Sequence, residues 1–137
     1  ETRALVIERD NGEGDAAQGC AEGATDLSAC YPHPAMVKNI VLVDMSDVDE
    51  DGFVRRIGHI DLLDIADPDG IALDGMKPAE GPFTFPFFTI EDVARVDETH
   101  ILVANDNNLP FSGGREIGVA ANNEFILLSV PELLSAE

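Results

Sequence analysis

The sequence contains no Trp, a single Tyr and only seven Phe in 137 residues, so its core has to be built mainly from aliphatic side chains. Basic residues are also scarce. Eight Lys plus Arg face 27 Asp plus Glu, for a formal net charge of −19. A surface of that sign repels nucleic acid and anionic membranes, because phosphate binding draws on Lys and Arg to release counterions. No nucleic-acid partner is therefore expected. No run of about 18 apolar residues occurs, so no membrane span is expected. The sequence shows no secretory leader. Glu1-Thr2-Arg3-Ala4 runs straight into the strand-like Leu5-Val6-Ile7, and the expectation is a processed chain or a fragment. Catalytic signatures are missing as well. There is no His-Glu-x-x-His, P-loop or Gly-x-Gly-x-x-Gly. Ser112 sits in Phe-Ser-Gly-Gly rather than a Gly-x-Ser-x-Gly elbow. His33, His59 and His100 are widely spaced, and His59, inside a strand-like run, reads better as a packed residue than as a base.

What is present points to one β-rich unit over residues 1–137. Apolar residues make up 45% of the chain, enough for a core in a single domain. The acid excess has two readings, a strongly solvated surface and carboxylates that hold hard cations. The two cysteines, Cys20 and Cys30, flank a segment rich in Gly, Ala, Ser and Asp. They are expected to close a disulfide, which would stabilise by roughly 2–3 kcal/mol on loop-entropy grounds and imply an oxidising compartment. Two free thiols are the alternative. A zinc site with His33 lacks a fourth close ligand.

Short apolar runs predict six strands: Leu5-Val6-Ile7, then residues 38–45 around Ile40-Val41-Leu42-Val43, 55–63, 87–96, 99–104 and 124–130. Asp97-Glu98 reads as a tight turn, although it lacks the glycine such hairpins prefer. Residues 10–34, 64–86 and 105–123 read as loops; the second holds Pro68, Gly70, Gly75, Pro78, Gly81 and Pro82. Pro131 followed by Glu132-Leu133-Leu134 suits a short helical turn.

Two halves of the chain look alike. Leu5-Val6-Ile7-Glu8-Arg9-Asp10 compares with Ile101-Leu102-Val103-Ala104-Asn105-Asp106, and each is followed, after a long loop, by a similar strand, Ile40-Val41-Leu42-Val43 or Phe125-Ile126-Leu127-Leu128. Strands apolar on both faces and repeated in this way fit blades of a β-propeller. The expected fold is all-β with long loops and little helix, about two blades of an incomplete ring.

Three pieces carry a family resemblance: Leu5-Val6-Ile7-Glu8-Arg9-Asp10; Phe85-Pro86-Phe87-Phe88-Thr89-Ile90-Glu91; and Ala104-Asn105-Asp106-Asn107-Asn108-Leu109-Pro110-Phe111-Ser112-Gly113-Gly114-Arg115 leading into Asn123-Glu124-Phe125. In that order they resemble the C-terminal part of the phytase-like family, also called esterase-like activity of phytase, most strongly in the last third of the chain. The resemblance implies a secreted or periplasmic β-propeller of which this chain holds the last blades, with the rest of the ring absent. It also implies hydrolysis of a small-molecule phosphoester or ester. It transfers no catalytic residue.

The residues themselves offer two constellations. Asn105, Asp106, Asn107 and Asn108 gather oxygen-bearing side chains at a strand end, and Glu91 and Asp92 interrupt the neighbouring strand. Such oxygens suit Ca²⁺, with Asp106, Asn107 and Glu91 as its first candidate ligands. An ion there would polarise a phosphate as a Lewis acid, while Arg115 and Arg9 could grip phosphate oxygens bidentately. The competing reading is ordinary turn chemistry, in which Asp and Asn side chains bond the local backbone. Asp47-Val48-Asp49-Glu50-Asp51-Gly52 is the second constellation. Asp47, Asp49 and Asp51 stand at the spacing of a calcium loop, yet position twelve is Gly58 and no flanking helices are evident. An acidic hairpin tip is the simpler reading.

Overall fold

The structure is a computed structural model that describes residues 2–73 and 81–137. The loop expected over 64–86 includes residues 74–80, so Gly75 and Pro78 lie outside the described residues. Among the described residues six strands form: β1 (Arg3–Arg9), β2 (Lys38–Val48), β3 (Val54–Asp61), β4 (Ile90–Arg95), β5 (His100–Asn105) and β6 (Phe125–Ser129). One short helix, α1 (Pro131–Ser135), follows with proline at its first turn. The fold is mostly β, two three-stranded antiparallel sheets in the orders β1-β2-β3 and β4-β5-β6.

Each strand matches an expected apolar run, with one informative difference. β4 starts at Ile90 rather than at Phe87. Phe85 and Phe87 are buried in the loop before it, with ring centroids 4.8 Å apart in an edge-to-face pair. Their hydrophobicity serves loop packing, which a strand-length apolar run does not reveal.

The two hairpin turns are closed by aspartates. Asp49 Oδ1 accepts from the backbone N–H groups of Asp51 (3.0 Å) and Phe53 (2.9 Å), and Gly52 takes the positive φ of 89° that the turn requires. Asp97 Oδ1 accepts from Thr99 N–H at 2.7 Å and His100 N–H at 2.8 Å. This side-chain mimicry replaces the glycine missing from that turn.

The sheets pack face to face through one core. Ile40 and Leu42 of β2, with Leu5, Ile7 and Ile60 beside them, meet Ile101 and Val103 of β5, flanked by Val93, Ile126 and Leu128. The ladder register refines the internal repeat. Leu5 pairs with Leu42, whereas Ile101 pairs with Leu128. Matching Leu5 to Ile101 is therefore one residue out of step with matching Ile40-Val41-Leu42-Val43 to Phe125-Ile126-Leu127-Leu128. A one-residue slip exchanges the faces of a strand, so only one of the two matches can hold. Keeping the second makes Leu102 the counterpart of Leu5. Phe125 and Leu127 then occupy the places of Ile40 and Leu42.

Candidate functional site

β1, β3 and β5 all end on the same side of the molecule, and the described parts of the three connections that follow them, residues 10–37, 62–73 with 81–89, and 106–124, begin at that end. They are joined directly. Gly14 N–H donates to Pro86 O at 2.8 Å, Gly113 N–H to Glu13 Oε2 at 2.9 Å, and Thr84 Oγ1 to Asp15 Oδ2 at 3.3 Å. Arg115 Nη1 donates to Thr84 O at 2.7 Å. This loop end is the candidate site.

Arg115 is its central pillar. It binds Glu124 through Nε at 3.0 and 3.2 Å and through Nη2 at 2.7 Å. Its guanidinium carbon lies 5.0 Å from the Phe83 ring centroid and 5.1 Å from that of Phe87. Arg115, a candidate phosphate ligand by sequence, has its planar fork on a buried carboxylate between two aromatic rings. Gly114 beside it has φ 135°, and a Cβ there would stand 2.8 Å from the Phe87 ring, so close aromatic packing requires the glycine.

The first loop is anchored by a buried lysine. Lys38 is 0% exposed, and its Nζ reaches Asp10 O at 2.9 Å, Gly12 O at 2.8 Å and Asp10 Oδ1 at 2.9 Å. All three ammonium protons have acceptors. Burial pushes Lys38 down from its usual pKa, opposed by Asp10. For Asp10, burial acts against the charge, but bonds from Lys38 and from the Met36 and Gly12 N–H groups outweigh it and hold the carboxyl below its usual value.

Tyr31 lies in the same cluster, 5% exposed. Its ring packs so close to Gly14 (φ 82°) that a Cβ there would stand 2.3 Å away. Among the described residues its hydroxyl is the one buried side-chain oxygen or nitrogen that makes no hydrogen bond of normal geometry, although the Gly114 N–H lies near enough to act on it. Burial, reinforced by Glu13, pushes that hydroxyl up, against the opposing influence of the Gly114 N–H and Arg115. The Cys20–Cys30 disulfide forms. It lies next to Tyr31, whose N–H donates to Gln18 O and whose carbonyl accepts from Cys20 N–H, each at 2.9 Å.

The amide-acid cluster is divided between two roles. Asn105 is buried and clamps the loop: its Oδ1 accepts from Glu124 N–H at 2.6 Å and its Nδ2 donates to Asn122 O at 3.2 Å. Asp106 Oδ1 accepts from Asn108 N–H at 3.0 Å, Asn107 Oδ1 from Leu109 N–H at 3.2 Å, and Asn108 Nδ2 donates to Thr89 Oγ1 at 2.6 Å. Asn108 adopts φ 43°. The Asp106 and Asn107 bonds are local turn bonds, whereas Asn108 ties its loop to Thr89, 19 residues away. Glu91 is exposed at the β4 bulge, with Arg9 3.7 Å away. Arg9 also lies over the Phe88 ring at 5.4 Å. Asp92 is exposed opposite Ala104. Asp47 pairs with Arg55 at 2.8 Å at the far hairpin, away from the loop end. Among the described residues no three His, Cys, Asp or Glu side chains group as a metal site.

Sequence reasoning missed Lys38, Glu13 and Tyr31. Lys38 gave a signal, a lysine leading directly into the buried run Ile40-Val41-Leu42-Val43, since a buried ammonium needs fixed acceptors. Glu13 meets Gly113 about 100 positions along the chain, and Tyr31 packs on Gly14 and bonds Gln18 and Cys20 within an irregular segment; neither left a signal.

With this geometry in place, comparison with known proteins is decisive on family. Residues 1–109 match the phytase-like family, described as esterase-like activity of phytase. The chain belongs to the phytase-like family. The match covers β1 to β5 and the cluster as far as Leu109; the run from Pro110 to Arg115 falls outside it, although the resemblance leaned most on that third of the phytase-like chain. No curated protein and no solved structure matches it. No helix among its described residues is long and apolar enough to cross a membrane.

Proposed function

We propose that this phytase-like chain is part of a hydrolase acting on small phosphoesters or esters, with substrate meeting the loop end of the two sheets. Its membership of the family carries this reading. The convergence of three loops around Arg115, Lys38 and Tyr31 supports the location, because ligand sites favour loops held on a rigid scaffold. Within the cluster Arg9 keeps the most open cationic head, over the Phe88 ring and near the exposed Glu91, and it is the residue we assign to an anionic substrate group.

The same reading takes the chain as about two blades of a β-propeller. Two stacked antiparallel sheets support it, as does the repeat phase. Ile40 and Leu42 face the second sheet, and their counterparts Phe125 and Leu127 face outward, where a third sheet would lie. The disulfide supports an extracellular or periplasmic location. Calcium fits less well. Asp106 and Asn107 already accept backbone bonds, and no trio of acids surrounds them among the described residues. A bound ion would need oxygens beyond Asp106, Asn107 and Glu91.

A second reading has its own support. Asn105, Asn107, Asn108 and Arg115 all act on the fold itself, which suits a non-catalytic binding or structural module with calcium, if bound, only fixing loops. Release of 4-nitrophenol from its phosphate and acetate esters, with and without calcium, separates the two. Turnover that falls in Arg9→Gln supports the hydrolase; no turnover under any condition, together with calcium-dependent thermal stabilisation, supports the module.

A further inference from the structure

Hydropathy is inverted along the connection that follows β5. Asn105 and Ser112 are buried, while Leu109 is 68% and Phe111 86% exposed. A phenyl ring is among the largest apolar surfaces a fold can bury. A turn shaped by folding alone would hide Phe111 and display Ser112.

The turn that displays them is braced on both sides. Asn107 N–H donates to Asn123 Oδ1 at 2.7 Å, and Asn108 Nδ2 to Thr89 Oγ1 at 2.6 Å. Thr89 Oγ1 in turn donates to Asp106 O. Phe111 N–H donates to Asn108 O and Ala121 N–H to Ser112 O, each at 2.8 Å. Gly113 N–H ends the turn on Glu13. Its two feet flank Arg9. Thr89 follows Phe88, whose ring lies 5.4 Å from the Arg9 guanidinium carbon. Glu13 lies four residues beyond Arg9, where β1 ends. The exposed apolar pair and the Arg9 head are thus carried by one braced set of loops.

Cations at this end are few and mostly committed. Among its described residues, Lys38 is fully buried with three acceptors, and Arg115 is held by Glu124 and Thr84 O. Arg9 keeps 27% of its side chain exposed. One guanidinium matches one phosphate group, and a net charge of −19 repels a ligand with many. We propose that the loop end recognises a phosphate monoester of an apolar alcohol or phenol, its phosphate on Arg9 and its aryl or alkyl group on Phe111 and Leu109, in preference to a polyphosphorylated polyol. Cleavage of that ester rests on the hydrolase reading above, whereas its recognition is read by binding alone.

Isothermal titration of the whole chain at fixed ionic strength compares phenyl phosphate, inorganic phosphate and myo-inositol hexakisphosphate. Phenyl phosphate should bind about tenfold or more tighter than either of the others. Phe111→Ser should remove most of that advantage without changing the urea-unfolding midpoint, and Arg9→Gln should weaken phenyl phosphate and inorganic phosphate alike. Phe53→Ser, at the far hairpin, should change neither affinity. Equal affinity for phenyl phosphate and inorganic phosphate, tightest binding of the hexakisphosphate, or no binding at millimolar ligand would each overturn the proposal. So would a Phe111→Ser variant that loses stability and keeps its affinity, the behaviour of a ring packed on polypeptide. If phenyl phosphate binds in the expected order and no ester is turned over, hydrolysis falls and the recognition stands.

Discussion

Arg115 and Glu124 form a three-bond ion pair at 2.7 to 3.2 Å, with the guanidinium between the rings of Phe83 and Phe87. Breaking a buried pair strands a charge and typically costs about 3–5 kcal/mol. Arg115→Ala is therefore expected to lower urea-unfolding stability by about 3 kcal/mol. Arg115→Met combined with Glu124→Leu should recover much of the loss. A single variant with unchanged stability and altered ligand affinity would show that Arg115 serves substrate instead.

Lys38→Met should be as damaging as any single change in the first loop. It removes three donors from Asp10 and Gly12, and leaving buried acceptors unmet costs about 1–3 kcal/mol each. Exchange of the Asp10 and Gly14 region by hydrogen-exchange mass spectrometry should rise sharply, while β5 and β6 stay protected longer.

Acid should destabilise the fold in a defined window. Asp97 is held down from 3.8 to about 2, first by the Thr99 N–H and then, against some desolvation, by His100 and the Thr99 hydroxyl. Asp10 is lowered as well. A depressed carboxylate pKa stabilises above the unfolded value and is lost as pH falls through the folded one. Stability should thus drop between about pH 4 and pH 2, and Asp97→Asn should flatten part of that drop. An identical acid profile in wild type and variant would remove Asp97 from the account.

The disulfide should matter moderately. Its ring spans ten residues of sequence separation, so replacing both cysteines with serine should cost about 2–3 kcal/mol. Because Tyr31 is bonded to Gln18 and Cys20, its fluorescence should respond to reduction before global unfolding. Fluorescence that changes only with global unfolding would separate the disulfide from the loop end.

The strands were legible because apolar runs such as Ile40-Val41-Leu42-Val43 and Ile101-Leu102-Val103 must be buried on both faces, and the cysteine pair because it brackets an irregular segment. The site was less so. Asn105-Asp106-Asn107-Asn108 reads equally well as ligands or as turn formers, since the same oxygens accept from a metal or from backbone N–H. Which role Arg115 plays depends on Glu124 and on Phe83 and Phe87, brought to it by folding. Register was hidden for a related reason: adjacent apolar residues on both faces leave a one-residue shift without a hydropathy penalty.

The central claim is that the loop end meets the substrate. Amide chemical-shift mapping during titration with phenyl phosphate tests it most directly. The account predicts shifts concentrated at Arg9, at residues 10–15 and at residues 106–116, weakened in Arg9→Gln. Shifts confined to the far hairpin around Asp47 and Asp49, or none at all at saturating ligand, would contradict it.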